Sequence, residues 1–78
     1  MSVDFKKLKS FVKIIDTGSV SRAASILRVA QPALSQQIAS LEQHFKHQLL
    51  IRRNVGITPT EAGLILYRHT QSLRKQID

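Results

Sequence analysis

The stretch from Ser21 to Leu41 constrains this 78-residue chain more than any other. Within it, apolar residues recur at helical spacing in two successive groups. The first group is Ala24 and Leu27, and the second is Leu34, Ile38 and Leu41. The pattern predicts two short amphipathic helices on either side of a tight turn.

The second of these helices carries an uncharged, hydrogen-bonding face. Opposite Leu34 and Ile38 we expect the side chains of Gln31, Ser35, Gln36 and Gln37. Glutamine can pair with adenine through two hydrogen bonds, and serine can bond to several base edges. The same residues could instead only solvate an exposed helix. However, no acidic residue occurs from Thr17 to Leu41, which favours a helix-turn-helix that reads base edges.

The charge balance points to a polyanionic partner. Twelve Lys and Arg residues against five Asp and Glu residues give a net charge of +7, and 42% hydrophobic content is typical of a folded domain. There is no cysteine, so disulfides and thiolate metal sites are excluded. Neither a secretory signal nor a membrane-spanning apolar run is visible, so we expect a cytoplasmic protein.

Three helices are predicted in the first part of the chain. The first covers 4–16, with Asp4 as its N-cap and Gly18 at its end. The second has Ser19 or Ser21 as its N-cap and continues to about residue 28. The third begins at Gln31 and Pro32, since proline is tolerated in a first helical turn, and continues to about residue 44.

A short two-stranded wing and a long helix follow. The strands are predicted at Gln48–Ile51 and from Ile57, with turn residues at 53–56 between them. The last helix starts at Thr60 and Glu61, and its stripe is Ala62, Leu66, His69, Leu73 and Ile77. Because Leu64, Ile65 and Tyr67 spread apolar surface further, we expect this helix to pack against its counterpart in a homodimer. A chain that ends within a helix also suggests a larger protein.

Several arginines are candidates for contacts with the DNA backbone. Arg52 and Arg53, at the tip of the wing, could reach phosphates or a narrow minor groove. Arg22 and Arg28 would touch the backbone beside the major groove. A solvated charged face is the alternative. Five basic residues against one acid between residues 17 and 60 favour phosphate contact.

The chain has no features of an enzyme or a metalloprotein. His44 and His47 have helical spacing, yet no cysteine and no suitably placed carboxylate completes a metal site. No Ser-His-Asp arrangement, paired carboxylates or glycine-rich phosphate loop is present, so we predict neither an enzymatic activity nor a cofactor. The aromatic residues lie on apolar stripes, which disfavours binding of single-stranded nucleic acid.

Taken in order, these motifs resemble those of the LysR-type transcriptional regulators over essentially the whole chain. The motifs are Leu8 with Phe11, Gly18–Ala24, Gln31–Ile38, Leu41 with Glu42, Arg52, and Thr60–Gly63. Segments 49–52 and 56–60 look most like the nitrogen-assimilation-control subgroup.

The resemblance implies a mainly α fold: a winged helix-turn-helix over residues 1–60, with the helix-turn-helix at about 19–38. Residues 61–78 would begin a linker helix that forms the dimer. An effector domain that binds a small molecule would lie beyond Asp78, in a protein that assembles as a tetramer on dyad-symmetric promoter sites. The implied base-facing residues are Gln31, Pro32, Ala33, Ser35 and Gln36, with Ser21 on the DNA backbone and Arg52 at the wing.

Four positions depart from the family pattern. Ala30 stands where Ser or Thr often caps the recognition helix, a loss of about 1 kcal/mol. Lys46 replaces a usual glycine, so a different turn is expected after that helix. Leu50 replaces a common Phe. Val55 stands where a second wing arginine is frequent, so we expect the wing to bind the minor groove more weakly.

Two other functions fit parts of the sequence. One is a helical protein-interaction module that uses residues 61–78 as its surface, with the charge incidental. The other is an RNA-binding winged helix, which the lack of aromatic residues at base-stacking positions disfavours. A gel shift separates the first from DNA binding, and competition between duplex DNA and RNA separates the second.

Overall fold

The structure is a computed structural model that describes residues 4–77, with side chains described for residues 4–72. Three helices come first, then a two-stranded antiparallel sheet and a fourth helix. The elements are α1 (Phe5–Thr17), α2 (Val20–Leu27), α3 (Gln31–Phe45), β1 (Leu50–Arg53), β2 (Gly56–Pro59) and α4 (Glu61–Ile77). The predicted mainly α winged helix-turn-helix with a following long helix is therefore confirmed.

The first two helices begin and end at residues that the sequence marks. The Asp4 carboxylate accepts a hydrogen bond from the Lys6 N–H at 2.9 Å, and Gly18 ends α1 in the left-handed conformation with φ 70°. Of the two candidate caps for α2, the structure uses Ser19, whose hydroxyl accepts from the Arg22 N–H at 3.1 Å. These caps satisfy amides that a helix leaves unpaired at its first turn.

The ends of α3 differ from those of α1 and α2. At its N-terminus Ala30 provides no side-chain hydrogen bond, as its methyl group requires. At its C-terminus Lys46 takes the left-handed conformation, with φ 59°, and its N–H donates to the Glu42 carbonyl. The turn is thus the one that glycine would favour, and the expected difference at Lys46 is not observed.

A single apolar core holds the helices together. Phe11 and Ile14 of α1, Leu34 and Leu41 of α3, and Leu49 before β1 are almost completely buried. Helix α2 approaches closely because its buried positions include the small residues Ala23 and Ala24. Most of these residues lie on apolar stripes that the sequence predicts, but Ile14 and Ala23 are buried without belonging to those stripes.

The wing is joined to the turn between α1 and α2. In the hairpin, Leu50 pairs with Pro59 and Arg53 with Gly56. The Ile57 N–H donates to the Gly18 carbonyl at 3.0 Å. Gly56 has φ 129°, and a Cβ on it would lie 2.7 Å from the same carbonyl oxygen. Only glycine allows the wing to approach this closely.

The first strand begins two residues later than predicted, at Leu50 rather than Gln48. Leu50 pairs with Pro59, the last residue of β2, so the residues before Leu50 lie beyond the end of the partner strand. The Glu42 carboxylate accepts hydrogen bonds from the N–H groups of Leu49, at 2.8 Å, and Leu50, at 3.4 Å, which joins the start of β1 to α3.

Thr60 and Gly63 attach α4 to the rest of the domain. The Thr60 N–H donates to the Leu49 carbonyl at 3.0 Å, and its hydroxyl donates to the Gln48 carbonyl at 2.6 Å. The same hydroxyl accepts from the Gly63 N–H at 3.0 Å, as an N-cap does. A Cβ on Gly63 would lie 2.0 Å from the Leu49 carbonyl oxygen, so α4 packs directly against backbone there.

We predict that Gly63→Ala destabilises the domain by about 1–3 kcal/mol, because the new methyl group overlaps backbone that cannot move away. In an unobstructed helix interior the same change would stabilise by about 0.5–1 kcal/mol. Urea unfolding followed by circular dichroism measures the difference. Arg68→Ala, at an exposed position of the same helix, is the control and should change little. A more stable Gly63→Ala variant would refute this packing.

We also predict that Ala30→Ser stabilises the domain by about 1 kcal/mol, because a serine hydroxyl can accept from the unpaired amides at the start of α3. Ala39→Ser, in the exposed middle of the same helix, provides no cap and should not stabilise. Equal effects of the two substitutions on the unfolding midpoint would contradict the assignment of Ala30 as an empty cap.

Candidate nucleic-acid interface

The first half of α3 presents the residues that the sequence assigns to base contact. Gln31, Pro32, Ala33 and Gln36 are exposed, and Ser35 is half-buried toward the wing. The side chains opposite them, Leu34 and Ile38, are buried in the core. The structure therefore leaves an amide- and hydroxyl-bearing surface on α3 free of contacts with the core.

Gln37 does not belong to this surface, and the prediction that it shares the exposed face is wrong. It is half-buried, and its Oε1 accepts a hydrogen bond from the buried Ser10 hydroxyl of α1 at 2.7 Å. Gln37 lies on the side of α3 that packs against α1. The sequence contains no clear signal for this contact, because the Ser10 hydroxyl also bonds the Lys6 carbonyl of its own helix at 3.1 Å.

A cleft of about 300 Å³ separates the helix-turn-helix from the wing. It brings together four of the predicted contact residues from three parts of the chain: Ser21, Gln31, Arg52 and Arg53. The remaining lining residues are Gly18, Ser19, Val20, Gly56 and Ile57. No carboxylate lines this cleft, so its charged groups are all positive. Ser19 also lines this cleft, although the sequence identifies it only as a helix cap.

Arg52 also lines a second, larger cleft of about 450 Å³ between α3 and the wing, together with Ser35. Glu42 lines the same cleft, but its carboxylate is bonded to the wing backbone, as described above. Arg53 is held differently, because its Nε donates to the Thr58 hydroxyl across the hairpin at 3.2 Å. Arg52 is thus the wing arginine that lines both clefts beside α3.

Two further arginines, Arg22 in α2 and Arg28 directly after it, do not line either cleft. Arg22 is exposed in the first turn of α2, and Arg28 is exposed at its end, where it adopts a left-handed conformation with φ 59°. Both side chains are free to reach a polyanion that covers the cleft between α2 and the wing.

The predicted dimer stripe of α4 has mixed surroundings. Ala62 and Leu66 are half-buried against the domain's own core, whereas His69 is exposed. The side chains of Leu73 and Ile77 lie outside the described residues. Ile65 is 62% exposed and borders an apolar groove of about 410 Å³. The other residues that line this groove are Phe45, His47, Leu49, Ala62, Leu66 and His69.

The described part of the chain offers neither a metal centre nor a membrane span. Nowhere in it do three His, Asp or Glu side chains converge as metal ligands would. The His44 ring instead contacts the Phe45 ring edge-on, with 4.9 Å between centroids. None of the described helices combines the length and the apolar character that crossing a bilayer requires.

Residues 5–64 match the family model of the bacterial regulatory helix-turn-helix proteins of the lysR family. The chain belongs to this family. A close relative is the nitrogen assimilation regulatory protein nac of Escherichia coli strain K12. The two are 53% identical over 76 residues, which are 97% of this chain and 25% of that protein. The chain thus spans about a quarter of the length of the curated relatives that it matches.

Solved structures of the family share the fold. The BenM DNA-binding domain in complex with benA site 1 DNA is 33% identical, with a TM-score of 0.89, and the match covers 96% of this chain and 87% of that one. The CbnR DNA-binding domain in complex with DNA is 30% identical, with a TM-score of 0.86 over 95% and 85% of the two chains. The family model describes regulatory proteins and nac is a regulatory protein by name, in agreement with the prediction that the chain is not an enzyme.

Proposed function

We propose that this chain binds double-stranded DNA sequence-specifically, as the DNA-reading domain of a transcriptional regulator in the bacterial cytoplasm. The observation that carries the proposal is the cleft lined by both Gln31 of α3 and Arg52 of the wing and by no carboxylate. Domains of the same fold, those of BenM and CbnR, have been solved in complex with DNA. Similarity to nac suggests a regulator of the nitrogen-assimilation-control subgroup.

In this proposal the first half of α3 enters the major groove. The exposed amide of Gln36 pairs with a base edge, and Gln31 and Ser35 reach bases beside it. Pro32 and Ala33 allow close approach, and the Ala33 methyl can contact a thymine methyl. These residues supply discrimination between sequences.

Phosphate contacts supply register and most of the affinity. Arg52 is the main contact, since it is exposed on the wing and borders both clefts beside α3. Arg53, Arg22 and Arg28 add positive charge around the same edge, and Ser21 donates a hydrogen bond from the start of α2. With Val55 at the tip, 97% exposed and uncharged, the hairpin offers no further cation to the minor groove.

We further propose that the chain acts as a homodimer through α4, on DNA sites with dyad symmetry. Exposed Ile65 and the apolar groove beside it support a second copy as the partner of this helix. The predicted stripe from Ala62 to Ile77 lies along the same helix. The tetramer and the small-molecule effector implied by the family belong to the longer protein.

Selection of bound duplexes from a random pool, followed by sequencing, tests the function directly. The proposal predicts an enriched inverted repeat, with duplex RNA failing to compete. Enrichment of a single motif without an inverted repeat would contradict the dimer but would still demonstrate sequence-specific binding. No enrichment would favour the protein-interaction module, and effective competition by RNA would favour the RNA-binding alternative.

We predict that Gln36→Ala relaxes base preference at one position of each half-site and weakens specific binding by about 1–3 kcal/mol. Binding to random duplex should barely change, since the amide contacts no phosphate in this proposal. The control is Gln43→Ala, an exposed glutamine about two turns further along α3. Equal losses on specific and random duplexes would exclude base recognition by Gln36.

Arg52→Ala should weaken binding to specific and random duplexes alike. It should also lower by about 1 the slope of log affinity against log salt concentration, because one phosphate contact is lost. Fluorescence anisotropy across a salt series measures the slope. Arg68→Ala removes the same charge from the exposed face of α4 and should leave the salt slope unchanged. A wild-type slope in Arg52→Ala would show that Arg52 does not contact phosphate.

A further inference from the structure

We propose that the seam between α1 and α3 is a second phosphate-binding site, on the opposite side of α3 from the wing. Its ligand is a phosphodiester of the DNA backbone, and its donors come from Lys7, Ser40 and Gln37. This inference rests on the proposed function, because it assumes that a duplex lies against the exposed face of α3.

Lys7 is the charged member of the site. Its ammonium group donates to the Ser40 hydroxyl at 2.9 Å, which holds a half-buried lysine against the flank of α3. An ammonium group has three N–H donors, so two remain for phosphate oxygens. The Ser40 oxygen accepts from Lys7 and therefore keeps its own hydrogen to donate.

Gln37 adds amide donors one turn away. Its Oε1 accepts from the buried Ser10 hydroxyl at 2.7 Å, so the carbonyl end of the amide is held toward α1. The two N–H donors of the amide are not used in that bond. Lys7, Ser40 and Gln37 therefore place donors along one seam. The nearest acidic residue in the sequence is Asp4, one turn before Lys7, and its carboxylate accepts from the Lys6 N–H at the start of α1.

The position of this seam relative to the wing suggests the ligand. Ser35 borders the wing cleft, and Gln37 is about 200° around α3 from it. The exposed Gln36 lies between them. A major groove about 12 Å wide has a phosphate backbone on each side of an inserted helix. If the wing meets one backbone, the α1 seam faces the other.

The charge of α1 agrees with a polyanion at this flank. The helix carries four lysines, and no acidic residue occurs from Phe5 to Ile15. Of these lysines, Lys7 is the one that the structure bonds to α3. Lys9 is about 200° around the helix from Lys7, and its ammonium lies 5.9 Å from the centroid of the Phe5 ring.

The matched pair Lys7→Gln and Lys9→Gln tests the site, since both remove one charge from the same helix. The measurement is the salt slope of binding to a selected duplex and to random duplex. We expect Lys7→Gln to lower the slope by about 0.9 on both duplexes and to preserve the ratio between them. Lys9→Gln should keep the wild-type slope. Equal slopes for the two variants would overturn the proposal.

Ser40→Ala tests the second donor without changing charge. We expect affinity to fall about tenfold at every salt concentration, with an unchanged slope, because an uncharged donor to an ionised phosphate is lost. Unaltered affinity would overturn the two-donor site. Wild-type protein that does not prefer the selected duplex would refute the proposed function itself. Specific wild-type binding with an unaltered Lys7→Gln slope would refute only the seam.

Discussion

The hydrogen bond from the Ile57 N–H to the Gly18 carbonyl is the constraint on which the reading surface depends. It joins the wing to the turn between α1 and α2, and Gly56 allows the close approach that the bond requires. Through it, the position of Arg52 is set relative to α2 and the start of α3. Without it the hairpin would be held by the packing of Leu50 and Ile57 on the core and by the bond to Glu42, and the width of the two clefts beside α3 would be less firmly fixed.

The apolar core and the polar contacts have separate tasks in this domain. Burial of residues such as Phe11 and Leu34 holds the helices together, but it is non-directional and does not orient a hairpin. Orientation comes from backbone groups bonded to Glu42 and Thr60. Hydrogen bonds require defined distances and angles, so they fix the wing and α4 where apolar contacts alone would allow them to slide.

Much of this architecture follows from local sequence patterns. Helix periodicity and caps such as Asp4 and Gly18 predict the helices closely, because both signals act within a few residues. Structural features that depend on contacts between residues far apart in the sequence could not be predicted. The start of β1 depends on its pairing with Pro59 at the end of β2, and the contact with Ser10 withdraws Gln37 from the exposed face. The helix pattern already indicates Gln31, Ser35 and Gln36 for base contact, and the family resemblance completes the set, but their partners on DNA are not encoded in that pattern.

The central claim is that the exposed face of α3, around Gln36, lies in the major groove. Methylation interference on a selected duplex tests it most directly, because guanine N7 lies in the major groove and adenine N3 lies in the minor groove. If α3 occupies the major groove, N7 methylation within each half-site blocks binding. Interference only from N3 methylation, with N7 methylation tolerated throughout, would contradict it.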